Sequence, residues 1–100
     1  MPSSPLLIGC ASGFSGDRSD GAAAVVHTLA ARGGGTLIFE TLAERTLALA
    51  QLARNADPRR GFEPLLDELV APGLADCLRH GIAIVSNFGA ANPVGAARRI

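Results

Sequence analysis

The sequence predicts an α/β fold: a parallel sheet of about three strands with crossover helices, in the order β-α-β-α-α-β-α. Two observations lead there. Three short apolar runs, Leu6-Leu7-Ile8, Thr36-Leu37-Ile38-Phe39 and Ile82-Ala83-Ile84-Val85, lack the polar alternation of a half-exposed strand. Such runs suit strands buried on both faces, as in a parallel sheet. Between them lie longer stretches with helical spacing, and this alternation calls for right-handed crossovers.

The first helix is expected over residues 20–32, with Val25, Val26 and Leu29 on its inner side, Asp20 as N-cap and Gly33 as C-cap. The second is expected over 42–54. It opens on Thr41-Leu42-Ala43-Glu44, a capping-box pattern that makes Glu44 the capping acid, and Leu42, Leu49 and Leu52 share a face. Asp57-Pro58 and Gly61 break the chain. A third helix is expected over 63–79, with the stripe Phe62, Leu65, Leu66, Leu69, Val70, Leu74, Cys77 and Leu78. Pro72 should kink or split it, because proline lacks an amide donor. A last helix should start at Asn92-Pro93, with Asn as cap and Pro in the first position.

Composition narrows the function classes. Of 100 residues, 48% are apolar and 18% charged, which excludes a disordered or low-complexity chain. Nine basic and nine acidic residues cancel, which argues against a nucleic-acid partner. Four Phe without Tyr or Trp leave few stacking platforms. No apolar run approaches the roughly 20 residues of a membrane span, and the start Met1-Pro2-Ser3-Ser4-Pro5 does not read as a signal peptide. Cys10 and Cys77 have neither disulfide-scaffold nor metal-site spacing. A cytoplasmic protein without membrane contact or metal is the expectation.

The polar residues collect after the three strands. The first loop runs from Gly9 to Asp20, the second holds Glu40-Thr41 with Glu44 and Arg45 beyond, and the third runs from Ser86 to Pro93. Open α/β sheets bind ligands outside the carboxyl ends of their strands, and helix N-termini there favour anions. Gly9, Gly13 and Gly16 do not match the dinucleotide fingerprint, although Glu40 stands where a Rossmann fold keeps its ribose-binding acid. The pattern therefore names no cofactor. The glycines either shape a βα turn or, with Ser12 and Ser15, wrap an anion. Arg18 either clamps a carboxylate or phosphate or pairs with Asp17 or Asp20 on the surface. Asn92 is a helix cap or a ligand contact, and Asn87 is the better hydrogen-bonding candidate of the two. His27 and His80 fall outside these loops, and the chain has no lysine, so neither a Ser-His-Asp triad nor a Schiff base is supported.

Four ordered blocks then resemble the N-terminal region of the acyclic terpene utilisation (AtuA-like) proteins. They are Gly13-Phe14-Ser15-Gly16-Asp17-Arg18-x-Asp20, Phe39-Glu40-Thr41-Leu42-Ala43-Glu44-Arg45-Thr46, Asp57-Pro58-x-x-Gly61-Phe62 and Ile84-Val85-Ser86-Asn87-x-Gly89-Ala90-Ala91-Asn92-Pro93. The family pattern covers Gly16, Asp17, Arg18, Asp20, Glu40, Glu44, Asn87, Gly89, Asn92 and Pro93; Gly21 with Ala22–Ala24, and Gly33–Gly35, depart from it. The resemblance implies a place in bacterial catabolism of citronellol- or geraniol-type terpenes, with no reaction assigned.

Members of that family are several hundred residues long, so residues 1–100 are expected to be a single N-terminal portion of a larger α/β domain. Further chain or a partner subunit would complete the sheet. The expected ligand is a small molecule, an acyclic terpenoid or related branched acyl compound such as a CoA thioester. In this reading Gly13, Ser15, Gly16 and Arg18 hold an anionic group. Asp17 and Glu40 are the catalytic candidates for acid–base work, and Asn87 and Asn92 bind, Asn87 by orienting a carbonyl. A nucleotide- or acyl-CoA-binding subunit without chemistry, and an inactive truncated chain, are the alternatives.

Overall fold

A computed structural model describes residues 5–100 of the protein. The elements follow the expected order: β1 (Ile8–Ser12), α1 (Gly21–Ala31), β2 (Thr36–Phe39), α2 (Glu44–Ala56), α3 (Leu66–His80), β3 (Ala83–Ser86) and α4 (Pro93–Arg99). The three strands form one parallel sheet in the order β1-β2-β3.

β1 lies further along the chain than its apolar run suggests. It takes in Gly9, Cys10, Ala11 and Ser12, which read as loop, and its pairing with β2 slips between Cys10 and Ser12. Gly9 has a packing reason: a Cβ there would meet Val25 Cγ1 at 2.3 Å. Helix α1 therefore crosses β1 closely over this residue. α1 ends in a Schellman motif, in which Gly34 N–H donates to the Leu29 carbonyl at 2.8 Å and Gly33 N–H to that of Ala30 at 3.2 Å. Gly33 takes a φ of 97°, where a side chain is disfavoured.

The core lies on one face of the sheet. Val26 and Leu29 of α1, Leu37 and Phe39 of β2, Leu66, Leu69, Val70 and Cys77 of α3, and Phe88 are all buried. α3 lies beside α1, close enough that a Cβ at Gly73 would stand 3.0 Å from Val26. Burial pushes the Cys77 thiol pKa up.

Burial on both sheet faces does not hold. Ile8 and Val85 point to the face opposite the core and are 58% and 57% exposed. Helix α2 buries no residue, and Leu47, Leu49 and Leu52 are exposed. Leu78 is also exposed, so the α3 stripe stops at Cys77.

Three local expectations are corrected. α3 runs unbroken through Pro72, which sits on the exposed side, where water can satisfy the carbonyl that loses its amide partner. The N-cap of α2 is Ala43 rather than Thr41, and Thr46 rather than Glu44 does the reciprocal bonding: its hydroxyl accepts from Ala43 N–H at 2.7 Å and donates to the Ala43 carbonyl at 2.9 Å. Asp20 stands at the N-cap of α1 without capping it, because its carboxylate faces Arg18. No helix among the described residues is long and apolar enough to cross a membrane.

Candidate functional site at the strand ends

The parallel sheet brings the loops after β1, β2 and β3 to one edge. The first is a compact turn. Asp17 N–H donates to the Phe14 carbonyl at 3.1 Å, and Gly16 in the third position has φ 87°, which requires glycine. Asp17 closes the loop: its Oδ2 accepts from Gly13 N–H and its Oδ1 from Arg18 N–H, both at 2.8 Å. These bonds, that from Gly13 first, hold the Asp17 carboxyl below the usual carboxylate range. The amides of Gly13 and Arg18 thus serve the loop itself. Arg18 makes a two-pronged pair with Asp20, and both side chains are largely exposed.

The second and third loops are joined by Asn87. Its Nδ2 donates to Glu40 Oε1 at 2.8 Å, and its Oδ1 accepts from the Thr41 N–H at 2.9 Å and the Thr41 hydroxyl at 3.3 Å. Leu42 N–H also donates to Glu40 Oε1, at 2.8 Å. The Asn87 bond, then the Leu42 bond, lower the Glu40 pKa. The topology thus joins two candidates that lie 47 residues apart. Arg18 and Asp17 belong to a separate cluster.

Asn92 has a different setting. It caps α4, accepting from Gly95 N–H at 3.0 Å, and its Nδ2 donates to the carbonyls of Pro58 at 3.0 Å and Arg60 at 2.9 Å. It is buried, with its amide hydrogens committed to backbone. Further bonds stitch the 57–63 segment to the loop after β3: Ala91 N–H to the Gly61 carbonyl at 2.9 Å, and Glu63 N–H to the Phe88 carbonyl at 2.8 Å.

These joints frame a cavity of about 450 Å³. Ser15, Thr41 and Ala90 reach it from the three strand-end loops, Leu42, Leu49, Ala50 and Ala53 wall it from the α2 side, and Phe62, Glu63 and Pro64 close it. Of the candidate catalytic and binding residues Gly13, Ser15, Gly16, Asp17, Arg18, Glu40, Asn87 and Asn92, only Ser15 lines it. Glu63, missed from sequence, is buried at its wall and bonds the Ser15 hydroxyl. Its signal was Pro64: a residue before proline is steered away from helical geometry, so Glu63 belongs to the loop rather than to α3. Ser12 Oγ is buried without a hydrogen-bond partner among the described residues. No group of three His, Cys, Asp or Glu side chains among these residues could hold a metal ion.

The lowered carboxyls carry a pH signature. Asp17, Asp20, Glu40, Asp57 and Asp67 ionise at lower pH folded than unfolded, so the unfolded chain binds more protons in acid. Their stabilisation is complete above the unfolded carboxylate pKa of about 4 and is lost as pH falls through the folded values. The melting temperature should therefore fall in acid. Asp17→Asn and Glu40→Gln should each flatten that fall in part, the other lowered carboxyls keeping the rest, without adding slope above about pH 5. A melting series with both variants checks this, and a wild-type slope retained in both would contradict it.

An open parallel α/β sheet with a cavity built from its strand-end loops is the class that fold and site define. The family model described as acyclic terpene utilisation family protein AtuA matches residues 6–100, and the chain belongs to that family. Neither a curated protein nor a solved structure matches it.

Proposed function

We propose that this chain takes part in the catabolism of acyclic terpenoids or related branched acyl compounds, and that the strand-end cavity holds the branched chain. The cavity itself carries the proposal. Its volume of about 450 Å³ and walls of Leu42, Leu49, Ala50, Ala53, Phe62 and Pro64 suit a small apolar ligand. The Gly13–Gly16 loop reaches it through Ser15. Arg18 would take an anionic group, such as that of an acyl-CoA, by exchanging Asp20 for it. Asn87 would orient a carbonyl, and Glu40 or Asp17 would move the proton.

A second reading, binding without chemistry, draws support from the carboxylates. Asp17 and Glu40 accept two hydrogen bonds each, and those bonds favour the charged form. Lowering the pKa of a carboxylate makes it a weaker base.

Growth of a producing bacterium on citronellol separates these readings, with variants made in the complete protein. Glu40→Ala should abolish growth under the catalytic reading, by removing about 10²-fold or more in rate. Arg18→Ala should slow it through weaker ligand capture. Unchanged growth in both variants would sink the site assignment. Product-free binding of citronellol or citronellyl-CoA by purified wild-type protein would favour the second reading.

A further inference from the structure

The cavity holds a single acidic side chain. Asp17 and Glu40 do not line it; of the lining residues among those described, only Glu63 is a carboxylate. Glu63 is 5% exposed and takes part in no ion pair among the described residues. Two donors fix it: the Ser15 hydroxyl donates to Oε2 at 3.1 Å, and Leu65 N–H donates to Oε1 at 3.3 Å. Each carboxylate oxygen can accept about two hydrogen bonds, so both keep acceptor capacity. Leu42, Leu49, Ala50, Ala53, Phe62 and Pro64 give the same cavity its apolar wall, and its one cation, Arg60, is exposed.

We propose that Glu63 is a catalytic base of this cavity, and that its substrate is a carbon acid: an apolar molecule with a C–H bond made acidic by a neighbouring electron-withdrawing group. A general base must reach the proton it removes, and Glu63 is the carboxylate placed to reach a molecule in the cavity. Water solvates and blunts an exposed carboxylate; the burial of Glu63 beside an apolar wall strips much of that shell. Carboxylates in such surroundings are recurrent bases for proton removal next to a carbonyl. In the step, Glu63 takes the proton and the C–H electron pair passes into the electron-withdrawing group. The proton then returns from Glu63 to the product or to water. Ser15 is the positioning residue, because its hydroxyl fixes the orientation of the carboxylate. This inference rests on the reading of the cavity as the ligand site, and adds which residue acts on the ligand there.

The probe is 5-nitrobenzisoxazole. A base removes its ring C–H proton, that electron pair forms a nitrile as the N–O bond breaks, and the oxygen leaves as a coloured phenolate. No other reactant is needed. Rates are measured on the purified complete protein as wild type, Glu63→Gln, Glu63→Asp, Ser15→Ala and Ser15→Thr, with folding followed by circular dichroism.

The wild type should exceed an equal concentration of acetate at the same pH, because the cavity holds probe and base together. Glu63→Gln should lower kcat by about 10²-fold or more, and Glu63→Asp should recover part of it. Ser15→Ala should lower kcat with KM little changed, and Ser15→Thr should restore it. A wild-type rate no higher than that of acetate overturns the role of Glu63 while leaving the terpenoid reading intact, and needs no variant. Equal rates in wild type and Glu63→Gln, or an effect confined to KM, also overturn it. If Glu63→Gln does not fold, Glu63→Asp decides, and an unchanged kcat there overturns the role. Citronellol should inhibit the wild-type reaction competitively. If the variants behave as expected and citronellol does not compete, Glu63 stands as a base and the terpenoid reading of the cavity falls.

Discussion

Phe88→Ala should destabilise the protein by about 3–5 kcal/mol, the usual cost of truncating a buried phenylalanine. Phe88 is 2% exposed and among the largest fully buried side chains. Its ring packs against Phe39 at a centroid distance of 4.9 Å and an angle of 43°, which ties the end of β2 to the loop after β3. Its carbonyl also receives the Glu63 N–H. Domains of this size have total stabilities of about 5–15 kcal/mol, so the variant sits at the margin. Its melting temperature should drop by roughly 10 °C or more. Phe88→Leu keeps most of the volume and should recover more than half of the loss. Thermal melts followed by far-ultraviolet circular dichroism measure both. A Phe88→Ala loss below about 1 kcal/mol would show that the ring is not the packing centre described.

Phe88 also marks how far the sequence is legible. The order of elements is readable because an apolar run and a helical stripe differ in period, and all seven elements form in that order, although β1 and the start of α3 lie further along the chain than their patterns suggest. What stayed hidden has tertiary causes. Gly9 sits inside β1 because Val25 of α1 fills the space a side chain would occupy, and nothing in residues 9–12 announces a helix arriving from residue 25. The leucines of α2 have helical spacing, yet Leu49 and Leu52 stay exposed, because spacing shows which residues share a face and not what covers it. Pro72 leaves α3 whole because that side of the helix faces water.

The candidate site divides the same way. Parallel strands must deliver their loops to one edge, so the approach of Glu40 and Asn87 follows from topology. The partners within that edge do not follow from it. Asp17 turns inward on its own loop, Arg18 turns to Asp20, and Glu63 takes the buried place that no spacing rule had reserved.

Asn92→Ala should cost about 2–4 kcal/mol and loosen the cavity wall. The side chain makes three hydrogen bonds from a site 8% exposed: it caps α4 through Gly95 N–H and holds the Pro58 and Arg60 carbonyls. Losing a cap costs about 1 kcal/mol, and losing the two part-buried hydrogen bonds to the Pro58 and Arg60 carbonyls adds about 0.5–1.5 kcal/mol each. Asn92→Ser tests the split. Serine can still cap but cannot reach two carbonyls, so it should recover only about 1 kcal/mol. Arg60 and Gly61 line the cavity next to these anchors, so the damage should reach the site before the core. Amide exchange at Ala91, which donates to Gly61, and at Glu63, which donates to Phe88, should accelerate more than exchange at buried Leu69 or Val70. Citronellol affinity should fall in the variant at temperatures where the core remains folded. If the Ala91 and Glu63 amides kept their wild-type protection in Asn92→Ala, the segment would owe its position to something other than Asn92. The cavity would then be a property of the α2 and α3 framework rather than of this one buried amide.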